Sequence, residues 1–231
     1  MGYWRGTLTA MTNGTVTIGS VAALLYVARR YFRDWGTTKG EAEDPLPGDD
    51  LVHEPTIQAT EAVWIDAPAA EVWPWLVQIG QNRGGLYSYE KVENTLGLRY
   101  RNADEIHREW QHLAVGDTVR LAPQGWLGIR QGIELRVAEV VDGQTIVLVA
   151  EPPVAPWTLV WSFHVMVRGA DRCRLTIRSR LALRHPGEVM LAELLGPARA
   201  LLTRGMLIGI RRRAESHRHR QAAAGATCHP G

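Results

Sequence analysis

The sequence predicts an α+β domain in which a curved antiparallel sheet packs around a long C-terminal helix. Three observations carry that expectation. Val72, Trp75, Leu76 and Ile79 recur at i, i+3, i+4 and i+7, the spacing of one buried helix face. After Gly116-Asp117 the period changes to two and stays there for several segments. From about Gly187 to Ser216 a helical pattern returns, in the one element long enough to cover a sheet's apolar face.

Composition sets the outer bounds. The chain has 231 residues, 45% of them hydrophobic and 22% charged, which excludes disorder and collagen-like repeats and leaves one core plus extra segments. Twenty-six basic against 24 acidic residues give a net charge of +2, too balanced to signal nucleic-acid binding. Two cysteines, Cys173 and Cys228, form neither a disulfide framework nor a CxxC motif. Nine Trp against two Phe is the unusual figure.

In chain order, no charged residue occurs from Thr7 to Ala28, and the run ends in Arg29-Arg30-Tyr31-Phe32-Arg33. A spanning helix needs ~20 apolar residues, and residues 8–28 reach that length only by including Thr9, Thr12, Asn13 and Gly14. A signal peptide has the opposite order, basic residues first. Residues 1–35 are therefore expected to form a hydrophobic N-terminal helix, membrane-spanning or docked. If it spans, Arg29, Arg30 and Arg33 against Arg5 place the domain on the cytoplasmic side; otherwise the protein is expected to be cytoplasmic. Trp4 and Trp35 bracket the run, where interfacial aromatics belong.

Residues 36–59, rich in Pro, Gly and acidic side chains, read as a linker or an ordered extended arm. The folded domain is expected over 60–216. Glu61–Asp66 reads as a strand, and Ala67-Pro68 opens a helix that Pro74 should kink and Gly80 should stop. Further helices are expected at about Ser88–Leu96 and Ala103–His112. Strands follow at Thr118–Ala122, Gly132–Val141, Thr145–Glu151, Trp157–Arg168 and Arg172–Arg184, with Asp142-Gly143 as a hairpin turn. In the last strand Leu175, Ile177, Leu181 and Leu183 alternate with Arg172, Arg174, Arg178, Arg180 and Arg184, which predicts an arginine stripe facing solvent. The final helix is expected to bend at Gly196-Pro197, and residues 217–231 read as a disordered tail.

Two of these segments carry a family resemblance. Val63-Trp64-Ile65-Asp66-Ala67-Pro68 followed by Glu71-Val72-Trp73-Pro74-Trp75-Leu76 is similar to the opening of the START-like superfamily, also called SRPBCC, which includes polyketide cyclases/dehydrases and lipid-transfer domains. Gln78-Ile79-Gly80-Gln81-Asn82-Arg83-Gly84-Gly85-Leu86-Tyr87-Ser88-Tyr89-Glu90 resembles a branch common among actinobacterial proteins. The resemblance covers about residues 60–216. It implies a helix-grip fold, with the sheet wrapping the C-terminal helix around a deep, largely apolar cavity. It does not specify a function, because one fold hosts many activities.

The candidate functional residues divide by chemistry. Arg83, beside Gly84-Gly85, has a fork donor able to pair with a carboxylate or enolate, or to cap a helix C-terminus. Tyr87 and Tyr89 add two phenols. His164 is a potential acid or base on a strand face with Thr158, Val160, Ser162 and Met166, opposite Trp161 and Phe163, but a lone strand histidine is more often packed than catalytic. Gly205 and Gly209, four apart, make room for a ligand or for close packing. The basic end of the last helix (Arg204, Arg211, Arg212, Arg213, Arg218, Arg220) suits a helix dipole or anionic lipid. No HExxH, P-loop, GxSxG or dinucleotide motif is present, so neither metal nor cofactor is expected.

The expectation is a membrane-tethered domain that binds a hydrophobic small molecule, a lipid or polyketide-like compound, in an internal cavity. Its contacts would be Arg83, Tyr87, Tyr89, Trp126, Trp161, Phe163, Met206 and Ile210. The competing readings are a polyketide cyclase/aromatase-like enzyme using Arg83, Tyr87 and His164, and a scaffold without ligand.

Overall fold

The computed structural model describes residues 31–152 and 157–227. The hydrophobic run expected at residues 8–28 lies outside them. Among the described residues, no helix is long and apolar enough to cross a membrane.

In chain order the elements are α1 (Lys39–Glu43), β1 (Ile57–Ile65), α2 (Ala69–Val77), α3 (Glu90–Thr95), β2 (Thr118–Ala122), β3 (Ile133–Val141), β4 (Thr145–Ala150), β5 (Thr158–Val167), β6 (Cys173–Ala182) and α4 (Pro186–Thr227). The strands form one antiparallel sheet in the order β1-β6-β5-β4-β3-β2. Hairpins join β2 through β6 in sequence, and β1 closes against β6. Irregularities near Arg120/Ala122 and Val137/Glu139 interrupt the register on either side of β3, which adds twist and curvature.

Side-chain parity divides this sheet into two faces. The inner face carries Val63 and Ile65, Leu175 and Ile177, Phe163 and Val165, Ile146 and Leu148, and Leu135 and Val137. These share one core with Trp75 and Leu76 of α2 and Met206, Leu207 and Ile210 of α4. The helix α2 packs against β5 and α4, and α4 also packs along β1. All four residues of the expected buried helix face, Val72, Trp75, Leu76 and Ile79, are fully enclosed.

The outer face is where the structure departs most from the sequence-based expectation. Arg174 and Arg178 do not face solvent: residues 36–53 cross the outer face of the sheet and bury them. Arg178, 1% exposed, uses its whole guanidinium. Nε donates to Thr60 Oγ1 (3.0 Å), Nη1 to the Asp44 carbonyl (2.8 Å) and Asp49 Oδ2 (2.6 Å), and Nη2 to the carbonyls of Glu41 and Ala42 (3.0 Å each). Five N–H donors thus meet five acceptors. Arg174 forks onto both Glu41 oxygens at 2.9 and 3.0 Å, and Arg180 donates to the carbonyls of Val52 and His53. Beside them Val52 packs on Val147, Val149 and Val160. The strand alternation is as expected, but a buried charge needs partners, and here the arm supplies them.

Smaller departures have local causes. Residues 103–112 form only a 3-10 turn at Arg108–Trp110. The backbone there is held from outside: Gln78 Nε2 donates to the Glu105 carbonyl, the His107 N–H donates to Gln78 Oε1, and Arg213 Nε donates to the Ala103 carbonyl. The helix α4 is continuous through Gly196-Pro197 and runs beyond Ser216 to Thr227. Arg218, donating to Asp171 and to the Asp66 carbonyl, ties the extension to the domain.

Candidate functional site

Cross-strand register arranges the inner face in rows, and the rows differ in how far they are covered. One row runs Glu61–Ile177–Phe163–Ile146, all buried. The next runs Ala59–Ser179–Trp161–Leu148, in which Ser179 and Trp161 are only half-buried. Beyond it, Ile57, Leu181 and Leu159 are half-buried as well, with Trp157 adjoining them. The inner face is therefore closed at one end and progressively uncovered towards the start of β1 and β5.

The first half of α4 carries a second apolar surface. Met190, Leu191, Leu194, Leu195 and Leu201 share one helix face and are exposed, Leu194 at 76%. Further along, Met206, Leu207 and Ile210 are buried against the closed end. These exposed side chains lie on the side of α4 opposite Thr203, Met206, Leu207 and Ile210, so two apolar surfaces are incompletely covered: the outer side of α4 and the open end of the inner sheet face. The open end of the sheet face begins at Trp161, whose ring centroid is 4.7 Å from that of the enclosed Phe163.

Among the described residues, three buried polar atoms on the inner side of the sheet lack a hydrogen-bond partner: Glu61 Oε1, Trp75 Nε1 and Tyr87 Oη. Each such group costs about 1–3 kcal/mol while unpaired. Gln78 is the neighbour of the Tyr87 hydroxyl, but its amide is taken up by Glu105, His107 and Gln111. Burial drives the Tyr87 phenol well above its ordinary range, so it is a neutral O–H.

Glu61 is the residue that the sequence-based reading passed over. It shares strand parity with Val63 and Ile65, which places its carboxyl on the core face, and it is 1% exposed. Oε2 accepts from Arg199 Nη1 of α4 at 3.2 Å. Burial raises its pKa to about 7, against the opposing pull of Arg199 and of a hydrogen bond with Thr203; Asp34 adds to the rise.

The structure brings together five of the residues picked from the sequence, and places the others elsewhere. Tyr87, Phe163, Met206 and Ile210 belong to one buried core cluster, with Trp161 packed against it. Arg83 donates from Nη2 to the carbonyls of Val77 (3.1 Å) and Trp110 (2.7 Å), so it caps the C-terminus of α2. Burial lowers the Arg83 pKa, opposed by Asp117. Tyr87 stacks edge-on against Trp75 at 5.7 Å, under Arg213, with a backbone φ of +58° fixed by its N–H to Asn102 Oδ1. Tyr89 is 48% exposed and lies against Gly205. Trp126 donates from Nε1 to the Leu96 carbonyl, in the β2–β3 connection. Gly205 and Gly209 thus serve close packing against the 87–89 loop.

His164 lies on the outer face, under the arm. Its Nε2 is 2.9 Å from Ser162 Oγ and its Nδ1 3.3 Å from Thr145 Oγ1. Burial, with Arg178 adding to it and Asp49 opposing, lowers its pKa to about 4, so the ring is neutral. It is therefore separated by the sheet from Tyr87 and the inner core. Cys173 is buried and free, its thiol pushed up to about 11 by burial, which leaves it inert. Among the described residues no group of three or more His, Cys, Asp or Glu is placed to hold a metal ion.

An antiparallel sheet with β1 next to β6, and a long C-terminal helix laid along its inner face, is the arrangement of a helix grip. The fold is START-like. No family model and no curated protein matches the chain. Solved structures similar to it include a Thermobifida fusca protein (16% identity, 68% of this chain and 92% of that one covered, TM-score 0.43). Another is a Nitrosomonas europaea protein (13%, 75% and 99%, 0.42). A third is norcoclaurine synthase from Thalictrum flavum, solved with dopamine and hydroxybenzaldehyde (15%, 70% and 87%, 0.39).

Proposed function

We propose that this helix-grip domain binds a hydrophobic small molecule in the cleft between the inner sheet face and α4. The observation that carries this reading is the gradient along the inner face: fully enclosed at Phe163 and Ile177 and half-covered at Trp161 and Leu159. Apolar concavities with a few placed polar groups are the general form of small-molecule sites. Trp161, Phe163, Met206 and Ile210 are its apolar contacts, and a lipid or polyketide-like compound is the class that such walls suit.

In this reading the domain is held at a membrane by residues 8–28. Support comes from the charge-free run itself and from the connection that follows it. Arg33 pairs with Glu193, and Arg204 stacks on Trp35 at 4.5 Å, so the chain leaves α4 beside its exposed apolar face. The domain lies on the cytoplasmic side, by the excess of arginine after the run.

Native mass spectrometry of protein purified in mild detergent tests the binding reading, with a retained lipid- or polyketide-sized mass as the expected result. A bare mass, together with no thermal shift across a lipid panel, would overturn it. Cell fractionation of the full chain and of a deletion of residues 1–34 tests the tether. The full chain should sediment with membranes and the deletion should not; a full chain found in the soluble fraction would rule the tether out.

A further inference from the structure

Glu61 is the one charged side chain on the inner face of the described sheet, and the cleft reading leaves it unexplained. The other inner-face positions of β1, β6, β5 and β4 are Ile57, Ala59, Val63 and Ile65; Cys173, Leu175, Ile177, Ser179 and Leu181; Leu159, Trp161, Phe163 and Val165; and Ile146, Leu148 and Ala150. A carboxyl among these is expensive, and a buried ion pair is often matched or bettered by apolar residues of similar volume. This pair is also half-made: Oε2 takes Arg199, and Thr203, whose hydroxyl donates to the Arg199 carbonyl, lies beside the carboxyl, while Oε1 is enclosed and meets no donor in hydrogen-bond geometry.

The position of Arg199 gives the pair an outward side. Glu61 is enclosed, but the Arg199 side chain is 34% exposed, at the same level of α4 as Leu195 and Leu202. Glu61 thus sits in the enclosed row of the inner face, and Arg199 carries the pair out towards solvent. One row nearer the mouth are Ala59, Ser179 and Trp161.

We infer that Glu61 and Arg199 together form the polar end of the cleft and receive the carboxylate of a hydrophobic acid. This rests on the binding reading above and specifies its ligand. Glu61 in its neutral form carries one O–H, which its unpartnered oxygen can donate to a ligand oxygen. Arg199 has further N–H donors for the same group. With Glu61 neutral the pair is net cationic, which favours an anionic head over an alcohol or an ammonium. The charged groups facing the pair are few. Asp34 approaches from the segment before β1, Arg33 and Glu193 pair with each other, and Arg204 is engaged with Trp35.

This arrangement ties binding to a proton. The Glu61 carboxyl, held near neutrality by burial, is protonated at mildly acidic pH and charged in alkali. A carboxylate ligand then meets a donor in the first case and a like charge in the second. Binding should weaken as pH rises past neutral, and proton uptake should accompany it on the alkaline side.

The test uses the full chain in nanodiscs of neutral lipid, with dodecanoate, dodecanol and dodecylammonium as probes and tryptophan fluorescence as the readout. Near pH 6 dodecanoate should bind about tenfold more tightly than the other two, and near pH 8.5 that preference should shrink by about the same factor. Glu61→Gln, whose amide donates but does not titrate, should keep the preference and lose its pH response. Arg199→Leu should lose the preference itself. Thermal melts of both variants establish that they are folded. Dodecanol or dodecylammonium binding as tightly as dodecanoate, or an unchanged pH response in Glu61→Gln, would overturn the headgroup assignment and leave the cleft reading standing. Binding of none of the three by folded wild-type protein would overturn both.

Discussion

Three buried side chains show how cost and role separate at single residues. Glu61 holds its proton more tightly folded than unfolded, so the folded state binds more protons between about pH 4.5 and 7 and stability falls as pH rises through that window. Glu61→Gln should therefore stabilise the protein at pH 8, on the order of 2 kcal/mol, and do little at pH 5, as urea melts at the two pH values will show. His164 works in the opposite sense. Its folded pKa of about 4 lies below the ordinary 6.5, so the unfolded chain binds the extra proton and stability is lost as pH falls from 6.5 towards 4. His164→Gln should flatten that acid limb. The two slopes partly cancel in the wild type, so only the variants separate them. Arg178→Met strands Asp49 and four further acceptors and should cost about 3–5 kcal/mol, measured as a lowered urea midpoint. Of these residues, Glu61 was readable: its parity with Val63 and Ile65 already put it on the core side. Arg178 was readable only as one of an alternating set, because its acceptors lie far away in the chain.

At the scale of elements, the contact between α4 and the 87–89 loop is the least tolerant. A Cβ at position 209 would overlap the Tyr87 carbonyl oxygen, a backbone atom of a residue whose own N–H is held by Asn102 Oδ1. At position 205 it would meet the Tyr89 ring at 2.7 Å, and that ring is half-exposed and able to swing away. Gly209→Ala should lower the melting temperature by several degrees more than Gly205→Ala, although both replacements favour helix intrinsically. The elements that periodicity exposed are the ones that local pattern decides. The five strands after Gly116 fall within two residues of their expected limits, and so does the hairpin at Asp142-Gly143. The helix expected at 103–112 was not decidable in this way. Its backbone is claimed by Gln78 and Arg213, whose reach depends on the finished fold.

For the molecule as a whole, the sheet has two covered faces and two different covers. Helices α2 and α4 cover the inside with apolar side chains. The arm covers the outside largely through its backbone carbonyls and a few carboxylates, which a sequence rich in Pro, Gly and acidic residues can present. Removing residues 1–34 should leave the stability of the domain within about 1 kcal/mol. Removing residues 1–55 would uncover Arg174, Arg178 and the Val147–Val149–Val160 patch and should destroy cooperative unfolding, as followed by urea denaturation. The interior between sheet and helix was legible from sequence through Phe163, Met206 and Ile210. What the sequence could not show was which end of the inner face stays open, since that depends on where α4 crosses the sheet.

The arm has a mechanical consequence. A pull on the chain ahead of residue 31 does not reach the start of β1 at Ile57 first. It loads Arg33 on Glu193, then the bond from the Ala62 N–H in the middle of β1 to the Trp35 carbonyl, then the grip of Arg174 on Gly36 and Glu41, and then Arg178 across residues 41–49. These contacts lie side by side along β1 and β6, the two strands that close the sheet. A force applied from the N-terminal side is thus shared among several charge-assisted bonds in shear, instead of peeling β1 away one residue at a time.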